Sequence, residues 1–458
     1  MQYEIKKLSV LYKCYYLIFL ICNLFSTCIF TKIIYSKCIP VVLILGGILL
    51  LYSVIELGKK AIITEIKTYI LICFIVIYFA VVVLQSSNYL KDFAQLLSCI
   101  IYFFVIYMGI SIVDSKVREE ILSISSSIIF VFCFLLTIVS NVLLLLSIKG
   151  EIIVFGEEYL FGIVPRSEGY QLWGVSGSPV TFCVLLFFSL LSSARIIKKH
   201  KHLFLRVMII IIDIFMWIAL SATNANYFIL LFLAFALCII LLCFITESKS
   251  GLKVQIKKTA LILLFFACVL FSYKLTQRAI NGMQQCASKI MGENNIEYFF
   301  NRSAFDSHAA LDIEEGNDIQ RSFSSTRLDV RTEIWRKAFK VFKKHPFGVS
   351  NSNARVKVYY GEPDHEFTNL HNGYIQVLVA GGIQSVVLIL TFLILQFLQV
   401  IKKCFYEKNV VLVIMTAICF AILCGELVNG CFVFDRGITY SVLWGGLGLV
   451  NNNSRQIY

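Results

Sequence analysis

The sequence predicts an all-α polytopic membrane protein with about twelve transmembrane helices and one large external loop between the ninth and tenth. Three observations support this fold class. Hydrophobic residues make up 59% of the 458 residues, whereas charged residues make up only 15%. Apolar runs of about 20 residues, the length that crosses the hydrocarbon core of a bilayer, recur along the chain. Lys and Arg are abundant in alternate connecting loops and sparse in the loops between them.

The apolar runs define the candidate spans and the predicted domains. We expect helices 1–9 within residues 1–273, a large external loop at 274–371 that contains an amphipathic helix, and helices 10–12 within 372–458. The candidate spans lie near residues 14–31, 38–57, 68–85, 93–113, 121–147, 177–197, 206–223, 226–245, 259–273, 383–401, 410–428 and 437–450.

The distribution of positive charge predicts the orientation in the membrane. The N-terminus and five alternate loops carry twenty Lys and Arg, against six in the remaining short loops. Because basic loops are retained in the cytoplasm, we expect both termini there and the large loop outside. The net charge of +13 is spread over these loops rather than collected on one soluble face. We therefore expect no nucleic-acid partner.

The sequence predicts no metal site and no cofactor. The sixteen cysteines lie mostly within apolar runs and form no C-x-x-C pair, which indicates small buried hydrophobic residues. His365 lies between Asp364 and Glu366, but the spacing to the next histidine does not place two imidazoles on one helix face. A phosphate-binding loop of the Walker type is also missing from the sequence.

Residues 325–353, STRLDVRTEIWRKAFKVFKKHPFGVSNSN, predict an amphipathic helix in the large loop. Ser and Thr precede it and a His-Pro-Phe-Gly sequence ends it. This helix either holds a lipid-linked phosphate or diphosphate with its Arg side chains, or packs on the bundle as a solvated helix. The predicted apolar stripe comprises Ile334, Trp335, Ala338, Phe339, Val341 and Phe342, and the remaining face carries Arg331, Arg336, Lys337, Lys340, Lys343 and Lys344.

The stretch TNLHNGYIQVLVAGG, residues 368–382, leads into a long apolar run. A straight helix from 372 to 401 would measure about 45 Å, against about 30 Å of hydrocarbon. We therefore expect either a helix that protrudes outward or a half-helix that breaks at Gly381–Gly382. Both alternatives place His371 at the outer interface, where a neutral imidazole could act as a general base and Asn372 could orient it or bind a hydroxyl. The alternative is a histidine that caps a helix.

Two isolated charged residues are further candidates. Arg166, in the external segment IVPRSEGYQLWG, either binds a phosphate or anionic sugar or anchors the chain at the interface. Asp213 is the carboxylate placed deepest in a predicted span, and intramembrane acids often serve function.

Two segments resemble the O-antigen ligase and O-antigen polymerase family of bacterial envelopes. RTEIWRKAFKVFKKHPFGV (331–349) resembles the family's Arg-x-x-x-Trp helix with its His-Pro-x-Gly end, and HNGYIQVLVAGGIQSVVLIL (371–390) resembles its His-Asn-x-Tyr motif with a glycine pair. RSEGYQLWGVSGSPVTFCVLLF (166–187) is similar to the family's Arg-x-x-Gly segment. One departure is TNAN at 223–226, which places Asn226 where the family often has an Arg.

The resemblance implies a multi-pass glycosyltransferase of the bacterial cytoplasmic membrane that works at the outer face without a metal. It implies that His371 removes the proton from the acceptor hydroxyl and that Arg331 holds the diphosphate of an undecaprenyl-linked glycan donor. Arg166 would be a second diphosphate contact. Asn372, Arg327, Trp335 and Arg336 complete the residues that we expect to contact substrate.

Three functions are compatible with the sequence. The first is a polymerase that joins lipid-linked repeat units into O-antigen or capsular polysaccharide, and the second is a ligase that transfers finished polymer to lipid A core. The third is a flippase or transporter of lipid-linked sugar, although such a protein would concentrate polar groups within its spans. The expected partners are the lipid-linked donor and acceptor and membrane lipids, with a flippase and a chain-length regulator as candidate protein partners.

Overall fold

The computed structural model describes residues 2–62, 66–154, 157–166, 169–246, 252–291, 327–359, 370–407, 409–430 and 432–451. These residues form fourteen helices, one 3-10 turn and a small β-sheet. The helices are α1 (Gln2–Phe25), α2 (Lys32–Ile62), α3 (Ile66–Gln85), α4 (Tyr89–Ser111, with a π-helical stretch at Ile101–Tyr107), α5 (Ser115–Leu145), α6 (Pro179–Lys199), α7 (Leu203–Ala222), α8 (Asn226–Thr246), α9 (Leu252–Met291), α10 (Arg327–Lys344), α11 (Asn351–Val358), α12 (Gly373–Glu407), α13 (Val410–Gly425) and α14 (Ile438–Asn451).

The predicted all-α polytopic membrane fold is confirmed. Within the described ranges, ten helices are long and apolar enough to cross a membrane, namely α1 to α9 and α12. These ten coincide with the first ten predicted spans. The last two predicted spans correspond to α13 and α14, which have 16 and 14 residues and are shorter than a full crossing requires. The number of twelve spans therefore stays a prediction.

Aromatic side chains fill the centre of the bundle, where α4, α12 and α14 meet. Trp444 is fully buried, and its ring centre lies 4.8 Å from that of Phe103 and 5.8 Å from that of Phe392. The indole N–H donates to the backbone oxygen of Phe432 at 3.0 Å. Burial of a large ring with its single donor satisfied is favourable in a medium without water. This cluster joins the C-terminal helices to the N-terminal half of the bundle.

The external segment 149–174 forms a three-stranded antiparallel sheet that the sequence analysis did not foresee. The strands are β1 (Lys149–Val154), β2 (Glu157–Arg166) and β3 (Gly169–Gly174), in the order β1-β2-β3. Phe161, Ile163 and Leu172 are buried beneath it, where β3 contacts α5 and α6. The sheet therefore covers the end of α5 and the start of α6.

The amphipathic helix predicted in the large loop is α10, which ends at Lys344 directly before the His-Pro pair. Ile334 and Ala338 are buried, in agreement with the predicted stripe. Phe339 also belongs to the predicted stripe but is 45% exposed, so its side chain does not pack fully against the bundle. α10 packs on α11 and α12, so it is held against the bundle.

The helix before the large loop is longer than the sequence predicts. α9 continues past residue 273 to Met291, so the predicted start of the loop at 274 falls within a helix. Only 11% of its apolar window is buried, which indicates a helix at the periphery of the bundle. The division of the chain into 1–273, 274–371 and 372–458 stays a prediction.

α12 breaks at Gly382, where the backbone has φ 80° and ψ 176°. This confirms the half-helix alternative of the sequence analysis. The break leaves backbone carbonyl groups without hydrogen-bond partners within the helix. The segment that follows α10 donates hydrogen bonds to two of them. The N–H groups of Val349 and Ser350 donate to the carbonyl oxygens of Val379 and Ala380 at 3.1 and 2.9 Å. Irregular backbone at this depth is stable only when its polar groups are paired in this way.

Glycine is required on both sides of this contact. A Cβ atom on Gly382 would lie 2.4 Å from the backbone carbon of Phe347, and one on Gly348 would lie 2.7 Å from the oxygen of Ala380. Both glycines also have positive φ, which L-residues with side chains rarely adopt. The short half-helix of α12 is therefore fixed on the segment 346–350.

Candidate functional site

α12 begins at a turn formed by His371 and Asn372. The side-chain oxygen of Asn372 accepts from the N–H groups of Tyr374 and Ile375, both at 3.0 Å, which makes Asn372 the N-cap. Its amide nitrogen donates to the backbone oxygen of Leu427 at 2.8 Å. These bonds position the turn, and they give Asn372 a structural role. Its part in substrate binding stays a prediction.

His371 occupies a backbone conformation with φ 51°, which is uncommon for a residue other than glycine. Its ring is half-buried and forms a hydrogen bond with the side chain of Asn429. Burial lowers the pKa of His371, the positive charge of Arg331 lowers it further, and the bond to Asn429 partly opposes both. The imidazole is therefore neutral near pH 7, the form that accepts a proton.

α10 brings Arg331 to His371. Arg331 and Trp335 are four residues apart and lie on the same face of the helix. The indole N–H of Trp335 donates to the backbone oxygen of Leu370 at 3.1 Å. This bond ties α10 to the residue directly before His371. α10 thus brings Arg331 and Trp335 to the turn at His371, although Arg331 and His371 are 40 residues apart in the sequence.

The remaining predicted site residues are placed differently. Arg336 is 63% exposed and its guanidinium is bound to Glu333 at 2.7 Å, so the structure does not bring it together with His371. Arg327 is the first residue of α10, and Arg166 ends β2 opposite Gly169 in the sheet register. The side chains of Arg327 and Arg166 lie outside the described part of the structure. Their roles stay predictions, and His365 also lies outside the described residues.

The end of α13 forms the other wall of the site. The N–H of Gly373 donates to the backbone oxygen of Glu426 at 2.8 Å, and the Tyr374 hydroxyl donates to the backbone oxygen of Leu423 at 2.9 Å. Asn429, the partner of His371, lies in the turn that follows. The site is therefore built where the start of α12 meets the end of α13.

Glu426 and Asn429 are residues that sequence reasoning missed. Glu426 is 1% exposed, and within the described residues its Oε2 has no hydrogen-bond partner. Burial raises the pKa of Glu426 well above its usual range, so the neutral carboxyl is favoured. A signal was available, because Glu426 is the only acidic residue between positions 410 and 434. Asp213, which was singled out instead, accepts a hydrogen bond from Ser193 at 2.7 Å within the bundle.

A second group of positive charges lies near Asp435. Arg355 of α11 forms an ion pair with Asp435 at 3.3 Å. Burial raises the pKa of Asp435, and the positive charges of Arg355, Arg436 and Lys91 partly offset this effect. We call Arg355, Arg436 and Lys91 the second cation group. Asp435 also interacts electrostatically with Glu426, so the second cation group lies near Glu426.

The TNAN segment, where the family often has an arginine, lies near the same place. Asn226 is the first residue of α8 and is exposed. The next residue, Tyr227, packs its hydroxyl against Gly425 at the end of α13. Asn226 leaves the start of α8, close to the end of α13, without the positive charge that the resemblance implies there.

Comparison with known proteins shows one family that part of the chain resembles. No curated protein matches the chain. A family model described as O-antigen ligase matches residues 211–390, a segment that contains both Arg331 and His371. The match supports an activity of the O-antigen ligase or polymerase type, which implies lipid-linked glycan substrates and a membrane environment. Residues 211–390 of this multi-pass membrane protein are thus similar to the O-antigen ligase family, which supports the resemblance that the two motifs predicted.

Proposed function

We propose that the protein is a polymerase that joins undecaprenyl-diphosphate-linked oligosaccharide repeat units at the outer face of the bacterial cytoplasmic membrane. The observation that carries the proposal is the proximity of a neutral imidazole, His371, to a guanidinium, Arg331. Both lie near the start of the short half-helix of α12. One group can accept a proton while the other stabilises negative charge on a leaving diphosphate.

The reaction follows from these two groups. The acceptor hydroxyl transfers its proton to the imidazole of His371 while its oxygen attacks the anomeric carbon of the donor glycan. The bond between that carbon and the diphosphate oxygen breaks, and undecaprenyl diphosphate leaves with the electron pair. Arg331 faces the diphosphate and offsets the charge that develops there. Asn429 holds the imidazole in place through its hydrogen bond.

The second cation group supports a polymerase in particular. A polymerase binds two lipid-linked diphosphates, one on the donor and one on the acceptor. The positive charge of Arg331 acts on His371, whereas the positive charges of the second cation group, Arg355, Arg436 and Lys91, act on Asp435. We therefore assign the donor diphosphate to Arg331 and the acceptor diphosphate to the second cation group.

The ligase is the second candidate, because the matched family model carries that description. Deletion of the gene separates the two functions in the native bacterium. Single repeat units at the cell surface would indicate a polymerase, whereas polymer that accumulates on the lipid carrier would indicate a ligase.

The chemistry is tested by His371→Gln in purified protein reconstituted in nanodiscs with a lipid-linked oligosaccharide. Removal of a general base should lower the rate of glycan transfer about 10²–10⁴-fold. His345→Gln is the matched control, because His345 is also a half-buried external histidine, with Lys357 at 3.1 Å, and has no proposed part in the reaction.

A His371→Gln protein that transfers glycan at the rate of His345→Gln would remove His371 as the base. Transfer by the native protein without an ion gradient would exclude a function restricted to transport.

A further inference from the structure

A large cavity opens at the end of the bundle opposite to His371. Its volume is about 1270 Å³, and it lies between α5 and α6 on one side and α13 and α14 on the other. Val410, the first residue of α13, lines it, whereas the last turn of α13 reaches the site at Glu426. The length of α13, about 24 Å, separates the two places. The cavity is therefore distinct from the proposed active site.

The inner wall of the cavity is apolar. Aliphatic and aromatic side chains from four helices face it, namely Ile129, Phe188, Leu191, Ile414, Ile418 and Leu449. Its volume exceeds the ~300–1,000 Å³ that is usual for pockets of drug-sized ligands. Water gains few hydrogen bonds in an apolar chamber. A ligand with long hydrocarbon chains suits this wall better than water does.

The mouth of the cavity carries an excess of positive charge. Its two carboxylates are already paired, Glu119 with Arg195 at 2.6 Å and Glu120 with Lys13 at 2.8 Å. Four further cations of the mouth lie outside these two ion pairs: Lys116, Arg118, Lys198 and Lys199. An anionic group at the mouth would be attracted by these cations.

A buried hydroxyl lies between the charged mouth and the apolar wall. Ser125 lines the cavity and is 9% exposed, and its Oγ has no hydrogen-bond partner within the described residues. A buried hydroxyl without a partner is costly in an apolar environment. Rotation of the Ser125 side chain toward the cavity would let an ester or phosphate oxygen at this depth accept its hydrogen bond. This is the level at which a glycerolipid changes from headgroup to chain.

We infer that the cavity binds an anionic phospholipid from the leaflet at the basic end of the bundle. The phosphate lies at the mouth among Lys116, Arg118 and Lys198, the glycerol ester region meets Ser125, and the acyl chains follow the apolar wall. Basic pockets between transmembrane helices bind anionic headgroups through the same combination of charge and burial. This site is independent of the proposed transfer reaction.

The experiment measures lipid binding to the purified full-length protein by native mass spectrometry, with phosphatidylglycerol and phosphatidylcholine as probes. The native protein should retain phosphatidylglycerol about tenfold more strongly than phosphatidylcholine. The triple variant Lys116→Gln, Arg118→Gln, Lys198→Gln should reduce this preference to less than about threefold.

The matched control is Lys201→Gln, Lys257→Gln, Lys402→Gln, which removes three exposed cations from the same end of the bundle without touching the cavity. It should leave the preference unchanged. Leu191→Trp, which fills the apolar wall, should weaken binding of both lipids.

Three results would overturn the assignment. They are equal binding of the two lipids by the native protein, an unchanged preference in the triple variant, and displacement of bound phosphatidylglycerol by an equimolar lipid-linked diphosphate. Each readout is a binding ratio, so a failure here is distinguishable from a failure of the proposed polymerase activity.

Discussion

At the scale of single residues, the site depends on what surrounds one imidazole. His371 is a weak base in water, and its burial and the nearby guanidinium of Arg331 both disfavour the protonated ring. Asn429 opposes them through one hydrogen bond. The balance favours a neutral ring near pH 7. The ring is thus ready to accept a proton without first losing one.

This arrangement predicts the pH dependence of glycan transfer. Protonation of His371 abolishes its function as a base, so activity should fall on the acid side with an inflection below the usual histidine pKa of about 6.5. Arg331→Gln removes a positive charge that lowers the pKa of His371, so its inflection should move toward higher pH. The measurement is kcat/KM between about pH 5 and 8.

Arg331→Lys is the control for this shift. Lys retains the charge and should keep the inflection at low pH, although it cannot offer the planar fork that suits a phosphate and should restore little of the rate. An inflection at the same pH in Arg331→Gln and Arg331→Lys would show that Arg331 does not act on the imidazole.

At the scale of elements, the break in α12 is the feature that creates the site. The short half-helix 373–381 would be unstable alone, since its freed carbonyl groups lie where water is scarce. The segment 346–350 supplies donors to two of them, and this requires the close approach at Gly348 and Gly382. The His-Pro-Phe-Gly sequence therefore ends α10 and also packs against the break in α12.

Gly382→Ala should disrupt this contact. The new methyl group would lie 2.4 Å from the backbone carbon of Phe347, and alanine disfavours a φ of 80°. We expect a loss of about 2 kcal/mol or more of stability, together with strongly reduced activity. The measurement is the thermal unfolding midpoint in detergent.

Gly47→Ala in α2 provides the matched control, because a Cβ atom there meets nothing within 4 Å. Its stability should be unchanged or higher by up to about 1 kcal/mol, as alanine is the better helix former. Equal midpoints for the two variants would contradict the steric argument.

Some elements could be predicted from the sequence and others could not, for physical reasons. Hydropathy located the ten long spans, and helix length against bilayer thickness predicted the break at Gly381–Gly382 as one of two alternatives. The end of α9 at Met291 was not predicted, because the last turns of this helix are polar. The sheet at 149–174 was not predicted, because three short strands give only a weak alternation of apolar and polar residues.

The site was only partly predictable for a related reason. His371 and Arg331 lie in local motifs, which a sequence displays directly. Glu426 and Asn429 reach the site only because α13 packs beside the start of α12, and a single sequence does not reveal such a long-range contact. The exposure of Phe339 and Arg336 likewise depends on which face of α10 meets the bundle.

At the scale of the whole molecule, the two ends of the bundle differ in chemistry. One end carries the basic loops and the mouth of the large cavity, and the other carries α10, the sheet and the proposed active site. The excess of Lys and Arg predicts that the first end is cytoplasmic. The proposed polymerase requires this orientation, because its substrates would otherwise lie on the wrong side of the membrane.

Reporter fusions test the orientation. Alkaline phosphatase fused after residue 344, at the end of α10, should be active, since it would be exported. Green fluorescent protein fused after residue 201, between α6 and α7, should fluoresce because it would remain inside. The reciprocal fusions at each position serve as controls and should be inactive. The opposite pattern would show that the protein has the opposite membrane orientation, and it would exclude an external active site.

The break at Gly382 also separates two mechanical parts of the molecule. Below it, residues 383–407 must adjust their tilt when the bilayer becomes thicker or thinner. Above it, the half-helix, α10 and the segment 346–350 are joined by hydrogen bonds and move together. We therefore expect a change in bilayer thickness to alter the tilt of residues 383–407 more than the spacing between Arg331 and His371.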